Sequence, residues 1–100
     1  RLTPLQAQAE CMLGALLDEL DYIGVMAMEC FRVGDKLLIN ELAPRVHNSG
    51  HWTQAGTACS QFESHLRAVT GLPLAPPKTR GLTAMVNLVG IDRNNQWFHF

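Results

Sequence analysis

Two runs rich in β-branched, aromatic and other apolar residues flank Gly34-Asp35, and this arrangement constrains the fold more than any other feature of the chain. Residues 22–33 read YIGVMAMECFRV and residues 36–42 read KLLINEL, so neither run has the three- or four-residue period of a helix. A two-residue break that contains glycine, placed between such runs, is typical of an antiparallel hairpin. The sequence therefore predicts a β-hairpin in the first half of the chain.

A capping pattern predicts a helix before this hairpin. Thr3 can cap the first turn, Pro4 suits the first helical position, and the Gln6 side chain can reach back to the cap. The predicted helix covers about residues 4–20. Its apolar residues recur at helical spacing and form one face that should lie against the rest of the fold: Leu5, Ala9, Met12, Leu13, Leu16, Leu17 and Leu20.

A second capping pattern predicts a short helix after the hairpin. Ser60 and Glu63 have the spacing of a capping box, and Gly71 is a typical residue for the end of a helix, so we expect a helix over about 60–70. Its buried apolar stripe would be Phe62, Leu66 and Val69. Helices packed on an antiparallel hairpin make the expected fold class α+β.

The composition describes a folded chain without a strong charge. Of the 100 residues, 47% are hydrophobic, which is enough to bury a core, and the formal net charge is −1. This balance gives no electrostatic reason to expect nucleic acid or a membrane surface as a partner. No apolar run reaches the roughly 18 residues of a membrane span and no signal-peptide pattern is present, so we expect a soluble, cytoplasmic protein. The cysteines, at 11, 30 and 59, lack disulfide or metal-site spacing and should be free and mostly buried.

Prolines mark the expected division of the chain. Three prolines within 72–78 predict an extended connector, which we place at residues 73–80. Before it, residues 1–72 would be the C-terminal part of one domain, and after it residues 81–100 would begin a small β domain that is truncated, with a strand at 83–89. Because the chain opens on a helix start and closes within an apolar run, we expect a fragment of a longer protein.

Glu29 and Glu41 are the residues of the hairpin that most need an explanation. Glu29 lies within the apolar run MAMECF, where an unpaired charge would be costly, and Glu41 ends the facing strand. A three-residue turn would pair Glu29 with Glu41 on one face, whereas a two-residue turn would pair Glu29 with Asn40 and direct Glu41 away. A metal held by both carboxylates therefore requires the three-residue turn or a bulge. Because the ligands are carboxylate oxygens, the metal would be Mg²⁺ or Mn²⁺. Otherwise one glutamate is solvated and the other forms a salt bridge.

A polar loop, LAPRVHNSGHW over residues 42–52, follows Glu41 directly. Arg45 offers a planar fork of donors for a carboxylate, carbonate or phosphate, and His47 and Asn48 add further polar groups. His47 and His51 would suit zinc if they lay on a helix, but the serine and glycine between them argue against a helix. The structural alternatives are that Arg45 caps backbone carbonyls, that either histidine is hydrogen-bonded within the loop, and that Trp52 fills a core.

The run NELAPRVHNSGHWTQ over residues 40–54, with SQFE at 60–63 and HLRA at 65–68, closely resembles the N5-carboxyaminoimidazole ribonucleotide synthetases, a family of ATP-grasp ligases. The resemblance covers most of the chain and implies part of an ATP-grasp domain. In this family the strand glutamates coordinate the Mg²⁺ ions that bridge the ATP phosphates, which implies metal and cofactor binding by Glu29 and Glu41. Many ATP-grasp members carry E-x-N-x-R where this chain reads ELAPR. Alanine thus replaces an amide ligand, and another ligand must come from elsewhere or be water.

The resemblance also implies an activity, the ATP-dependent carboxylation of 5-aminoimidazole ribonucleotide by bicarbonate in purine synthesis, with release of ADP and phosphate. Arg45 and His47 would be catalytic, and Arg45, His47 and Asn48 would bind bicarbonate and carboxyphosphate. The full-length enzyme would be a homodimer, and the isolated chain would be inactive. Two alternatives remain: another ATP-grasp ligase or a formate-dependent transformylase of purine synthesis, and an interaction module without catalysis.

Overall fold

A computed structural model describes residues 3–90, and its elements confirm the expected α+β class. Helix α1 covers Pro4–Glu19, strand β1 covers Ala27–Val33 and strand β2 covers Lys36–Ala43. The polar loop contains a 3-10 turn at Asn48–Gly50 and a single helical turn, α2, at Thr53–Gly56. Helix α3 covers Gln61–Val69. Within residues 3–90, no helix is both long and apolar enough to cross a bilayer.

Both longer helices begin with half of the predicted capping box. The Gln6 amide donates to Thr3 Oγ1 at 3.1 Å, and the Glu63 amide donates to Ser60 Oγ at 3.1 Å. Neither the Gln6 nor the Glu63 side chain reaches back to the amide of its cap residue. Gln6 bonds to Glu10 one turn further along α1, and the Glu63 carboxylate accepts from both Arg67 and the Cys59 thiol. Gly71, with φ of 74°, follows α3 in the left-handed conformation expected of a helix-ending glycine.

The hairpin combines a two-residue turn with a β-bulge. Val33 pairs with Lys36 across the turn, and the same register continues until Cys30 pairs with Ile39. The register then shifts by one residue, so that Glu29 pairs with Glu41 and Asn40 is the extra residue of β2. The two-residue turn alone would have placed Asn40 opposite Glu29. The bulge therefore supplies the pairing of the two glutamates that the sequence left open.

Burial within the described residues is concentrated in the loop after β2. The buried residues are Ala43, His47, Gly56, Thr57 and Cys59. Neither α1 nor α3 contains a fully buried side chain, and the expectation of a buried stripe on α3 is wrong for Leu66 and Val69, which are more than half exposed. Helix α1 contacts β2, where Gln8 Oε1 accepts from the Leu37 amide at 3.0 Å. The cysteines are free as predicted, but the expectation that they are mostly buried is wrong. Cys11 is exposed and Cys30 is only partly buried, because the helix and hairpin that carry them are covered on few sides.

The segment that follows α3 has no helix or strand over residues 72–78, and it is tied to the loop. Thr79 forms a single bridge with Thr57, in which the Ala58 amide donates to Lys78 O and the Arg80 amide donates to Gly56 O. The strand expected at 83–89 is not formed, because no segment of residues 3–90 lies alongside it to complete a ladder. Residues 91–100, with the rest of the expected β domain, lie outside the described residues. The division into domains therefore stays a prediction.

Candidate functional site

Three polar side chains converge at the end of the hairpin farther from its turn. Glu29 comes from β1, Glu41 from β2 and His47 from the loop, and their potential ligand atoms all lie within 4.8 Å of one another. His47 Nε2 is 3.3 Å from Glu41 Oε1 and 3.5 Å from Glu29 Oε1. We call these three residues the carboxylate–imidazole cluster. The His47 side chain is 8% exposed and the glutamate side chains are 43% and 48% exposed, so a buried imidazole contacts two carboxylates that remain accessible to solvent.

Backbone geometry on both sides of the loop creates this convergence. The bulge at Asn40 brings Glu41 opposite Glu29, so both carboxylates can reach one partner. The chain then turns tightly after the buried Ala43, where the Arg45 amide donates to Ala43 O at 2.8 Å. This turn returns His47 toward the carboxylates at the strand ends.

Hydrogen bonds from Ser49 set the tautomer of His47. The Ser49 amide donates to Nδ1 at 3.3 Å, and because a backbone N–H can only donate, Nδ1 is the acceptor. The ring proton then lies on Nε2, which donates to Glu41 Oε1. Ser49 Oγ lies 2.8 Å from Nδ1 and can either donate or accept. Because Nδ1 accepts from the Ser49 amide and carries no proton, the hydroxyl is the donor in this contact as well.

Arg45 and Asn48, the other predicted site residues, do not join the cluster. The exposed Arg45 guanidinium donates through Nη1 to Val46 O at 2.9 Å, which is the carbonyl-capping alternative raised by the sequence. Among residues 3–90, Arg45 forms no ion pair with either glutamate. Asn48 is exposed at the start of the 3-10 turn. Their predicted contact with an anion is therefore not preformed.

His51 and Trp52 pack within the loop, but the alternatives raised for them are not met: the buried His51 Nδ1 has no hydrogen-bond partner within residues 3–90, and Trp52 is only partly buried. The His51 ring meets the Phe62 ring edge-on, with centroids 5.2 Å apart. Trp52 lies so close to Gly56 that a Cβ there would be 2.6 Å from Trp52 Cε3. No α-helix spans His47 to His51, in line with the serine and glycine between them, and the stretch forms only a 3-10 turn at Asn48–Gly50. His47 contacts carboxylates while His51 contacts a phenyl ring, so the two imidazoles do not form a pair.

Sequence reasoning missed two residues of α3 that hold the site segments in place. The Gln61 side chain bonds to both the amide and the carbonyl of His47. His65 Nδ1 accepts from the Val25 amide at 3.0 Å and thereby ties α3 to the segment that enters β1. All three bonds join residues far apart in sequence, so no local pattern predicted them. The capping box at Ser60 placed Gln61 in the first turn of α3, and the family resemblance included both residues within SQFE and HLRA, but neither signal indicated these contacts.

The start of α3 contains a charged group whose titration is altered. The pKa of Glu63 is lowered from its usual value of 4.5, first because the Cys59 thiol donates to Oε2 at 3.0 Å. The Arg67 guanidinium, which donates to the same oxygen at 3.1 Å, lowers this pKa further. This group of residues stabilises the first turns of α3 and does not contact the carboxylate–imidazole cluster.

The chemistry of the cluster suits a hard divalent cation. Carboxylate oxygens are preferred ligands of Mg²⁺ and Mn²⁺, and the exposed faces of the glutamates leave room for water or a phosphate in the coordination shell. An imidazole is a less typical partner of Mg²⁺. His47 fits better as a neighbour that hydrogen-bonds to the ligating carboxylates and fixes their orientation.

Comparison with known proteins shows which family this chain resembles. A family model for the ATP-grasp domain matches residues 2–62. The N5-carboxyaminoimidazole ribonucleotide synthase of Haemophilus influenzae is 62% identical over 94 residues, which are 94% of this chain and 26% of that protein. The chain therefore spans about a quarter of the length of this curated relative.

Solved structures agree with that match. The crystal structure of N5-carboxyaminoimidazole ribonucleotide synthetase from Thermus thermophilus is similar with a TM-score of 0.77 and 56% identity, covering 80% of this chain and 22% of that one. An N5-carboxyaminoimidazole synthase from Aspergillus clavatus, in complex with ADP and 5-aminoimidazole ribonucleotide, has a TM-score of 0.66 and 38% identity. It covers 71% of this chain and 19% of that one.

Proposed function

Because this chain belongs to the ATP-grasp family, we propose that the full-length protein containing it carboxylates 5-aminoimidazole ribonucleotide with bicarbonate at the expense of ATP. Identity of 62% across nearly the whole chain to a synthase of this type supports the choice of reaction. The relative crystallised with ADP and 5-aminoimidazole ribonucleotide supports the nucleotide and the amine substrate. The observation that carries the proposal is the carboxylate–imidazole cluster, which assembles within the part of the chain that matches the family.

Glu29 and Glu41 are the proposed holders of Mg²⁺ or Mn²⁺. Such an ion, when bound, neutralises charge on the phosphates of ATP during phosphoryl transfer. The two carboxylates serve this purpose because the bulge sets them side by side and because each keeps nearly half of its surface accessible. His47 directs its Nε2 proton toward the two carboxylates, which limits the repulsion of their adjacent negative charges.

Arg45 is the proposed clamp for bicarbonate and carboxyphosphate, with His47 and Asn48 as further binding groups on the same loop. The guanidinium now donates to a single carbonyl, a bond whose net value is about 1 kcal/mol. An anion that accepts two charge-assisted hydrogen bonds from the guanidinium provides a stronger partner. Arg45 can therefore leave Val46 O for the substrate at little cost.

The test is the turnover of the full-length protein. Formation of ADP should require both 5-aminoimidazole ribonucleotide and bicarbonate, and ¹³C from labelled bicarbonate should appear in the product. Incorporation of ¹³C from formate instead would identify a transformylase. Absence of turnover, together with no thermal stabilisation by Mg²⁺ and ADP, would favour an interaction module. The inactivity of the isolated 100 residues, the cytoplasmic location and the homodimer of the full-length enzyme stay predictions.

A further inference from the structure

His47 is a buried polar residue on a backbone that no regular element supports. It lies between the end of β2 and the 3-10 turn, with φ of −135° and ψ of 149°, and helical and strand ladders do not include it. Its imidazole nevertheless has to lie within 3.5 Å of two carboxylates that come from two different strands. The local chain holds the His47 carbonyl through the Gly50 amide at 2.9 Å, but within residues 3–90 it offers no backbone acceptor to the His47 amide.

The carboxamide of Gln61 makes the connection. Gln61 Oε1 accepts from the His47 amide at 3.1 Å, and Gln61 Nε2 donates to His47 O at 2.8 Å. A primary amide presents one acceptor and one donor side by side, so a single side chain satisfies both backbone groups of one residue. The two residues are 14 positions apart, and their pairing replaces the ladder that the loop lacks.

Gln61 is itself held by the start of α3 and by the loop. Its backbone amide donates to Thr53 Oγ1 at 2.9 Å, and Thr53 Oγ1 in turn donates to Gly50 O. Gly50 lies directly against the carboxamide, because a Cβ at that position would be 2.4 Å from Gln61 Oε1. The Gln61 carboxamide therefore fits at this position because residue 50 has no side chain.

We infer that Gln61 is a positioning residue for His47 and, through it, for the pair of glutamates. This inference rests on the proposed function, since it names a residue that supports the same site. Gln61 touches none of the reacting groups. Its two hydrogen bonds help to set the backbone from which the imidazole reaches Glu29 and Glu41. Without them the His47 amide loses its acceptor, and the remaining bonds are those from the Gly50 amide to His47 O and from the Ser49 amide to the ring.

The experiment compares three variants of the full-length protein. Gln61→Met has a similar length and removes both bonds, whereas Gln61→Glu keeps the acceptor for the His47 amide and loses the donor to His47 O. Gln54→Met is the matched control, because Gln54 is exposed on α2 and its side chain makes no hydrogen bond within residues 3–90. We expect Gln61→Met to lower kcat by about 10- to 100-fold, as misplacement of a catalytic group does, with KM for ATP near the wild-type value. Gln61→Glu should lie between Gln61→Met and the control.

A Gly50→Ala variant tests independently whether the position of the Gln61 carboxamide matters. The added methyl group should displace the carboxamide and lower kcat in the same direction as Gln61→Met. Because both changes break the same contact, the double variant should be hardly worse than the more impaired single variant. Additive losses in the double variant would show that Gly50 and Gln61 act separately.

Hydrogen exchange of the His47 amide reports on the same bonds without turnover. Exchange should be at least about 10-fold faster in Gln61→Met than in Gln54→Met, since the protecting acceptor is gone. Unchanged exchange, or a wild-type kcat in Gln61→Met of an active enzyme, would overturn the inference and leave the proposed function intact. Lack of turnover in the wild type would instead reject the proposed function, and hydrogen exchange would still decide whether Gln61 positions His47.

Discussion

Removing one negative charge from the carboxylate–imidazole cluster should weaken the binding of a divalent cation by a measurable amount. The variants Glu29→Gln and Glu41→Gln keep the size and shape of the side chain and remove only the charge. Both side chains are nearly half exposed, so a dielectric constant close to that of water applies. The attraction between a divalent cation and one carboxylate at about 4 Å is then about 2 kcal/mol, which corresponds to about 30-fold in affinity.

The assay is Mn²⁺ binding to the full-length protein with saturating ADP, followed by electron paramagnetic resonance. Glu19→Gln is the matched control, because Glu19 is an exposed residue at the end of α1 and the same charge is removed. A His47→Gln variant separates two roles of the imidazole. If His47 only orients the carboxylates, its loss should cost less affinity than the loss of either glutamate charge.

Two outcomes would refute the shared cation site. If Glu29→Gln and Glu41→Gln both bound Mn²⁺ as tightly as Glu19→Gln does, the convergence of the two carboxylates would have no part in cation binding. A loss in only one variant would also contradict the shared site, because the bulge brings the two carboxylates to the same partner. Turnover should fall in parallel with affinity, which a steady-state assay at limiting Mn²⁺ can check.

Three other contacts lead to predictions of their own. Arg45→Lys in the full-length enzyme should be as impaired in turnover as Arg45→Ala, because an ammonium cannot reproduce a two-pronged grip; a fully active lysine variant would contradict the clamp. His65→Ala should lower the free energy of unfolding by about 1–3 kcal/mol in urea denaturation, because the Val25 amide loses its acceptor. Cys59→Ala should raise the pKa of Glu63 toward 4.5, as measured by NMR titration, since the thiol is the main cause of its lowering. The low pKa of folded Glu63 favours the native state above about pH 4.5, and this contribution is lost as the pH falls through the lowered pKa.

Local chemistry explains which parts of the fold could be predicted. The caps at Thr3 and Ser60 determine where α1 and α3 begin, because a side-chain oxygen three residues away satisfies an unpaired amide in any context. The strand predicted at 83–89 is not formed, because a strand does not depend on local chemistry alone. A strand exists only when a second segment pairs with it, and composition alone does not supply that partner.

Some features of the candidate site could likewise be predicted from the local sequence, and others depended on distant contacts. Glu29 and Glu41 stood out because a charge within an apolar run requires compensation, but their relative direction depended on one residue of register. His47 was expected to bind substrate, and the structure shows that it also contacts both carboxylates. Arg45 and Asn48 lie on the predicted loop, although neither contacts the cluster.

The sequence by itself determined the helix starts, the hairpin, the acidic residues at its end and the family to which the chain belongs. These depend on neighbours within a few positions or on the identity of a long run of residues. Only the tertiary structure decided that Asn40 forms a bulge, that His47 lies between the glutamates and that Gln61 holds His47. Each of these depends on which backbone groups remain unpaired after folding, and distant residues can satisfy them only once the chain has brought them together.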